Sequence, residues 1–334
     1  MDKQVLDWLL EEKDPSVRLM TLTTWLGLAP DAAEVVEARA AVMASGPVHE
    51  LLAQQNEDGS WGEINRFYRD KYRGSVWSLL LLAELGADPG DPRVRRACEF
   101  VLNVSQEPEE GGFSYDSSAK TGHGLYSGVV PCLTGNMVYA LIKLGYLEDP
   151  RVQHAIDWIC RYQRTDDAEG APPRGKPYDR YDMCWGSHSC HMGVAKTFKA
   201  LAAIPENRRN EAVDRQLVAM EAYFLKHHLY KKSHDLGQIA RPGWLRPGFP
   251  LMYQTDVFEL LGLFAELRCY DPRLDDGIRI LKDKQMADGL WKLENSFNGK
   301  MRVTIEKKGK PSKWLTMRAY RILRAFGNHA DAEK

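Results

Sequence analysis

The sequence has almost no net charge: 45 Lys and Arg stand against 46 Asp and Glu in 334 residues. That balance argues against a nucleic-acid partner, which calls for a basic excess. No apolar run approaches the roughly 18 residues of a membrane span; the longest lies around Val76 to Ala83. The N-terminal stretch MDKQVLDWLLEEKD is amphipathic and acidic, without the basic, apolar, small-residue order of a leader. Cysteines number only six. Without a secretion signal they read as reduced thiols, and a cytoplasmic location is expected. A Walker-type phosphate loop and a dinucleotide-binding glycine fingerprint are both missing. What is present, 44% hydrophobic and 27% charged residues, excludes wholesale disorder and leaves ample material for a core.

The chain repeats itself. Four segments carry an apolar helical stretch, a short turn and a second helix: 75–102, 137–163, 194–225 and 257–285. Ala97, Ala155, Ala212 and Gly277 fall in register on the second helices, spaced 58, 57 and 65 residues apart. Pro92, Pro150 and Pro272 each follow an Asp, which predicts an N-cap Asp with Pro at the first helical position. Neither helix of such a pair buries its apolar face alone, so the pairs must stack. A first pair over 15–55 and a closing helix over 313–327 complete the count. Pairing the N-terminal helix, 3–12, with the last repeat closes six hairpins into one ring. The expected fold is therefore all-α, a single (α/α)6 toroid over 1–334.

Connections within a hairpin are short, and those between hairpins are long: 56–72, 107–130, 165–185, 230–252 and 286–312. Long loops in a compact domain are commonly functional. All five precede first-type helices. If those form the inner ring, this face is the expected mouth of a central cavity. Alternation over Arg302–Glu306 predicts a small β-hairpin in the last long loop.

Three long loops open alike. Gln55 leads to Asp58-Gly59-Ser60-Trp61, Gln106 to Gly111-Gly112-Phe113, and Gln285 to Asp288-Gly289-Leu290-Trp291. An amide can bond free backbone groups at a helix end, Gly permits the turn, and the aromatic packs between helices. This pattern resembles the repeat of squalene–hopene cyclases and protein prenyltransferase β subunits. The resemblance implies the toroid and, more loosely, an isoprenoid-like substrate. The acidic Asp-x-Asp-Asp cluster of the cyclases has no counterpart here; Tyr253-Gln254-Thr255-Asp256 stands nearest, with Asp256 as the candidate acid.

The densest reactive stretch is YDMCWGSHSCHMG, 181–193. Cys132-x-x-Gly135 and Cys190-x-x-Gly193 sit one repeat apart, so neighbouring inner helices should bring Cys132, Cys190 and His191 together. Zinc takes N and S ligands, three of them from the protein in catalytic sites. The set resembles the zinc site of lanthionine cyclases. Asp182-x-Cys184 also resembles the zinc pair of prenyltransferase β subunits, whose third ligand, a His, would fall near Gln254.

These residues give an expected enzyme with zinc on Cys132, Cys190 and His191. His188 and Asp182 would move protons, Cys184 would serve as reserve ligand or nucleophile, and Asp256 as acid. Tyr72, Arg73, Trp185, Trp244, Tyr253 and Trp314 would line the mouth and bind an apolar or partly apolar substrate, isoprenoid-like or peptide-like. Two alternatives stand beside this: a metal-free, acid-initiated terpenoid cyclase or isomerase, and a non-catalytic toroid holding an isoprenoid or peptide.

Overall fold

A computed structural model describes residues 1–179, 182–186 and 188–332, without the side chains of Asp182, Met183, Asn328, Ala330, Asp331 and Ala332. Six helices form the inner ring: α2 (Pro15–Met20, extended by a π turn over Thr21–Trp25), α5 (Ser75–Glu84), α7 (Pro131–Lys143), α10 (His191–Ala202), α12 (Val257–Glu266) and α14 (Lys313–Ala332). Outside them lie α3 (Ala33–Ala44) with α4 (Gly46–Leu52), then α6 (Pro92–Val104), α8 (Pro150–Tyr162), α11 (Glu211–Lys226) and α13 (Asp275–Asp283), while α1 (Lys3–Leu9) precedes the ring in the chain and the short α9 (Asp182–Trp185) lies in the loop before α10. The (α/α)6 toroid expected from the repeats is the observed architecture. Among the described residues no helix is long and apolar enough to cross a membrane.

The two helix types differ because their surroundings differ. The α5 residues Ser75 to Ala83 are all buried, as befits a helix walled on every side. By contrast, α6 buries only one stripe, Val94, Ala97, Cys98, Val101 and their neighbours. Asp91 and Asp149 cap α6 and α8 by accepting from the N–H of Arg93 (2.7 Å) and Arg151 (2.9 Å), with Pro at the first position.

The shared loop signature is one structural device used three times. Gln55 Nε2 donates to the Gly59 carbonyl (3.1 Å) and to the Arg93 carbonyl of the next outer helix (2.9 Å). Gln106 repeats this on Gly111 (2.9 Å) and Arg151 (2.7 Å), and Gln285 on Gly289 (3.2 Å). Trp61 and Trp291 donate their indole N–H to Leu51 and Leu281, each ten residues back. Gly59 has φ +89°, and a Cβ there would lie 2.4 Å from the Arg96 carbonyl oxygen.

Ring closure uses both chain ends. Lys313 Nζ meets Glu11 (2.8 Å) and Asp14 (2.6 Å), and Arg324 donates to the carbonyls of Thr24 and Trp25. The β-hairpin is not where alternation placed it. Residues 302–306 are irregular, and the antiparallel pair is β1 (Lys231–Lys232) with β2 (Asp235–Ile239). The 302–306 alternation reflects a loop dropping Met301 and Val303 into the core.

Candidate functional site

A chamber of about 550 Å³ runs through the ring, lined by side chains from all six inner helices. Its floor is the stacked pair Phe249 and Trp314, with centroids 4.0 Å apart and planes 8° apart. Its rim holds the solvent-exposed Lys143, Glu266 and Arg324, near the C-terminal ends of α7 and α12 and beyond the middle of α14. The chamber therefore opens on the short-loop face, opposite to the expected mouth.

The long loops explain the reversal by folding over the other face and bonding to one another. Tyr72 N–H donates to the Lys300 carbonyl (3.2 Å), Arg302 Nε to the Arg73 carbonyl (2.6 Å), and Glu294 N–H to the Pro247 carbonyl (3.0 Å). Their aromatic side chains then pack together. Tyr72 lies 4.3 Å from Phe297 and 5.2 Å from Trp77, centroid to centroid, and Tyr253 stacks at 6.1 Å. Of the six residues expected at the mouth, Trp314 lines the chamber, as its floor. Tyr72 and Tyr253 belong to this plug, and Arg73 is exposed on the loop. Trp185 is buried against Trp158 and Tyr178, and Trp244 against His191.

The chamber wall is ionic. Lys196 and Glu259 are all but fully buried, and Lys196 Nζ bonds both carboxylate oxygens (2.9 and 2.8 Å). Lys199 reaches Glu259 (3.2 Å) and also Glu84, and sits 4.2 Å above the Tyr139 ring. Arg321 pairs with Glu266 (3.1 Å). Arg318 differs: its Nη1 is buried with no hydrogen-bond partner among the described residues. Five basic side chains line the chamber, Lys143, Lys199, Arg318, Arg321 and Arg324, against three acidic ones, Glu84, Glu259 and Glu266.

These contacts fix the ionisation states. Burial alone would raise the Glu259 carboxyl, but Lys196 and Lys199 outweigh it and hold it at about 2. Burial would likewise lower Lys199, yet the carboxylates of Glu84 and Glu259 keep it charged. Burial, with Glu84 beside it, raises the Tyr139 phenol and leaves it neutral. Such groups present fixed charges and dipoles to a ligand and do not trade protons near neutrality.

Asp256 caps α12. One oxygen accepts from Glu259 N–H (2.8 Å), the other from Gly248 N–H (2.9 Å). Burial raises it to about 6. The candidate acid thus has both oxygens engaged by backbone.

The expected zinc ligands separate into two groups. Gly135 brings α7 against α10 so closely that a Cβ there would lie 2.4 Å from the Lys196 carbonyl carbon. Cys132 and Cys190 thereby come near enough to influence each other's ionisation, with Cys184 beside Cys190. Cys184, ahead of burial, lowers Cys190, while burial raises Cys132 to about 12. His191 instead stacks on Trp244 (centroids 3.9 Å, 14°) and packs against Phe224 and His227. Burial lowers its imidazole. Among the described residues no three His, Cys, Asp or Glu side chains are placed to hold a metal ion. The residues do not fit a Cys132–Cys190–His191 zinc centre. His188 is exposed, with Nδ1 3.9 Å from Asp167. The Asp182 side chain lies outside the described residues.

The ionic groups in and behind the chamber wall carry a signal in the sequence. Lys196 and Lys199 stand at i and i+3 in the apolar run VAKTFKALA, and Glu259 in VFELLGLFAE. Isolated charges on helices apolar all round must be buried and paired.

Comparison with protein-family models gives no match, and neither does comparison with curated proteins. Among solved structures, the chain is similar to a protein from Actinoplanes, with 15% identity and a TM-score of 0.44 over 96% of this chain and 90% of that one. It is also similar to the type II terpene cyclase MstE from Scytonema, with 15% identity and a TM-score of 0.42 over 96% and 88%. A variant of that enzyme in complex with its substrate, geranylgeranyl dihydroxybenzoate, gives 15% identity and a TM-score of 0.43 over 95% and 88%.

Proposed function

We propose that the chain binds a compact amphiphilic organic anion in its central chamber. The carboxylate or phosphate head would sit on Arg318, and the apolar body on the Phe249–Trp314 floor. The observation that carries this reading is the buried, unpartnered Arg318 nitrogen in a chamber with five basic side chains and three acidic ones. A buried ion network contributes less stability than an apolar core of equal volume. One kept at the centre of the ring, around an open chamber, is the arrangement a charged ligand would use. The volume, about 550 Å³, suits a ligand of drug size, for which sites of about 300–1,000 Å³ are usual.

The ionic wall favours a binding toroid over the zinc enzyme and over the acid-initiated cyclase. The cyclase reading needs a carboxylic acid with its proton facing the cavity, and Asp256, buried as the cap of α12, is not among the residues that line the chamber. A purely hydrocarbon substrate would leave the Arg318 Nη1 without a hydrogen-bond acceptor, whereas an isoprenoid carrying a charged head would supply one.

Titration calorimetry with fatty acids, aromatic carboxylates and prenyl phosphates tests the proposal. Anions should bind, their neutral alcohol isosteres should bind at least about tenfold more weakly, and Arg318→Met should erase the difference. Equal affinity for alcohols and anions, or unaltered anion binding in Arg318→Met, would overturn it.

A further inference from the structure

The staves of the ring are not packed alike. Helices α5, α7 and α10 bury nine residues each, whereas α2 with its π turn buries four, Pro15, Val17, Thr21 and Leu22. Those four divide along the stave. Towards the plugged face, Val17 joins Val42 of α3 in the continuous core of the ring. Towards the open face, Leu22 packs with Val35 and Ala38 in a small cluster of its own. The open-face half of the first hairpin, 20–38, thus has an interior separate from that of the ring.

The π turn, Thr21–Trp25, lies in this half. The hydroxyls of Thr21, Thr23 and Thr24 each bond the carbonyl four residues back (2.8 Å). Such bonds bend a helix and weaken it slightly. The tie to α14 sits at the rim and is polar. Arg324, itself exposed, donates to the Thr24 and Trp25 carbonyls (3.0 Å each), and its guanidinium lies 4.1 Å over the Trp25 ring. At the other end of the same seam Lys313 holds Glu11 and Asp14. Between these ties both helices line the chamber, α2 through Leu19 and Met20, α14 through Arg318 and Ile322.

We propose that residues 20–38 form a door in the chamber wall, latched at the rim by Arg324. The door stays anchored at the plugged face through Val17, Val42 and the Lys313 ion pairs. Opening breaks two hydrogen bonds and one cation–π contact at the surface. It widens the mouth between α2 and α14 and leaves the main core intact. Units with a small interior of their own open locally, ahead of global unfolding. The door goes beyond the anion reading and depends on it only for what would pass through.

Hydrogen exchange of the whole, ligand-free protein, read by mass spectrometry, tests this. Hydrogen-bonded amides of the π turn and of α3 up to Ala38 should exchange at least about tenfold faster than those of the outer helices α6 and α8. Arg324→Ala removes the latch, and Trp25→Ala removes its aromatic seat without touching a chamber-lining residue. Each should speed exchange in 20–38 by at least about threefold and leave α6 and α8 unchanged. Exchange in 20–38 as slow as in α6 and α8 would overturn the proposal, with no variant needed. So would variants that accelerate the whole ring evenly, or that leave 20–38 at the parental rate. No ligand enters the test, so its failure leaves the anion reading standing, and failure of anion binding leaves the door standing.

Discussion

Lys196 and Glu259 show what a buried charge demands of its neighbours. Each satisfies the other, and Lys199 adds a second cation to the carboxylate. Glu259→Leu strands Lys196 in an apolar wall and should cost about 3–5 kcal/mol. Glu259→Leu with Lys196→Met should recover most of that loss, and chemical denaturation of the three proteins checks it. Asp256 titrates in the opposite sense to a paired carboxylate. Its native value, about 6, lies above the ordinary 3.8, so the fold prefers the neutral acid. Its stabilising effect is complete below about pH 4 and is lost as pH rises through 6. Asp256→Asn cannot titrate, but its NH2 cannot accept from one of the two backbone N–H groups; it should fall below the parent by about 1–3 kcal/mol near pH 4 and gain on it by about 3 kcal/mol between pH 4 and pH 7. Denaturation midpoints across that range read the difference directly. The identity of Asp256 as a cap was legible, since an Asp ahead of an apolar helical run has that role. Its shift was not, because burial depends on how the folded chain closes around it.

The helical hairpins carry their own instructions. Asp-Pro starts the outer helices, and Gln with a following Gly ends them, so the hairpins could be read from local spacing alone. The amide of Gln106 ties the end of α6 to the start of α8 through two carbonyls, Gly111 and Arg151. Gln106→Leu leaves both acceptors without this donor and should cost about 1–3 kcal/mol. Gly59→Ala should cost at least about 2 kcal/mol, because it combines a left-handed φ with a Cβ 2.4 Å from the Arg96 carbonyl oxygen. Thermal unfolding of both variants checks the ranking. The fourth copy shows why the motif could fade. Gln163 turns its amide to the Arg164 carbonyl and accepts from Thr197, while Gln216 of α11 supplies a donor to the Gln163 carbonyl. The misplaced β-hairpin belongs to the same scale. Alternation over five residues marks a change of face along the chain and does not say whether a partner strand lies alongside.

The ring as a whole decided what no local pattern could: which end is open. Loop length pointed to the face where inner helices begin. Those loops, however, carry Tyr68, Tyr72, Tyr253 and Phe297, and a long loop with several large aromatics gains more by burying them than by framing a solvent-filled mouth. The opposite face has only short turns, too small to cover a ring of six helices, so it stays open. Gly262 follows from this geometry. It sits within α12, lines the chamber, and a Cβ there would meet no atom within 4 Å. Glycine inside a helix is destabilising by roughly 0.5–1 kcal/mol relative to alanine, and nothing in the surrounding packing requires it. What its absent side chain leaves is ligand room. Gly262→Ala should therefore raise stability by up to about 1 kcal/mol. Gly262→Phe should fold as well as the parent yet lose anion binding, because the ring would project into the space beside Arg318. Calorimetry paired with thermal unfolding separates the two effects. A Gly262→Phe protein that unfolds at the parental temperature and still binds anions with parental affinity would place the ligand outside the chamber.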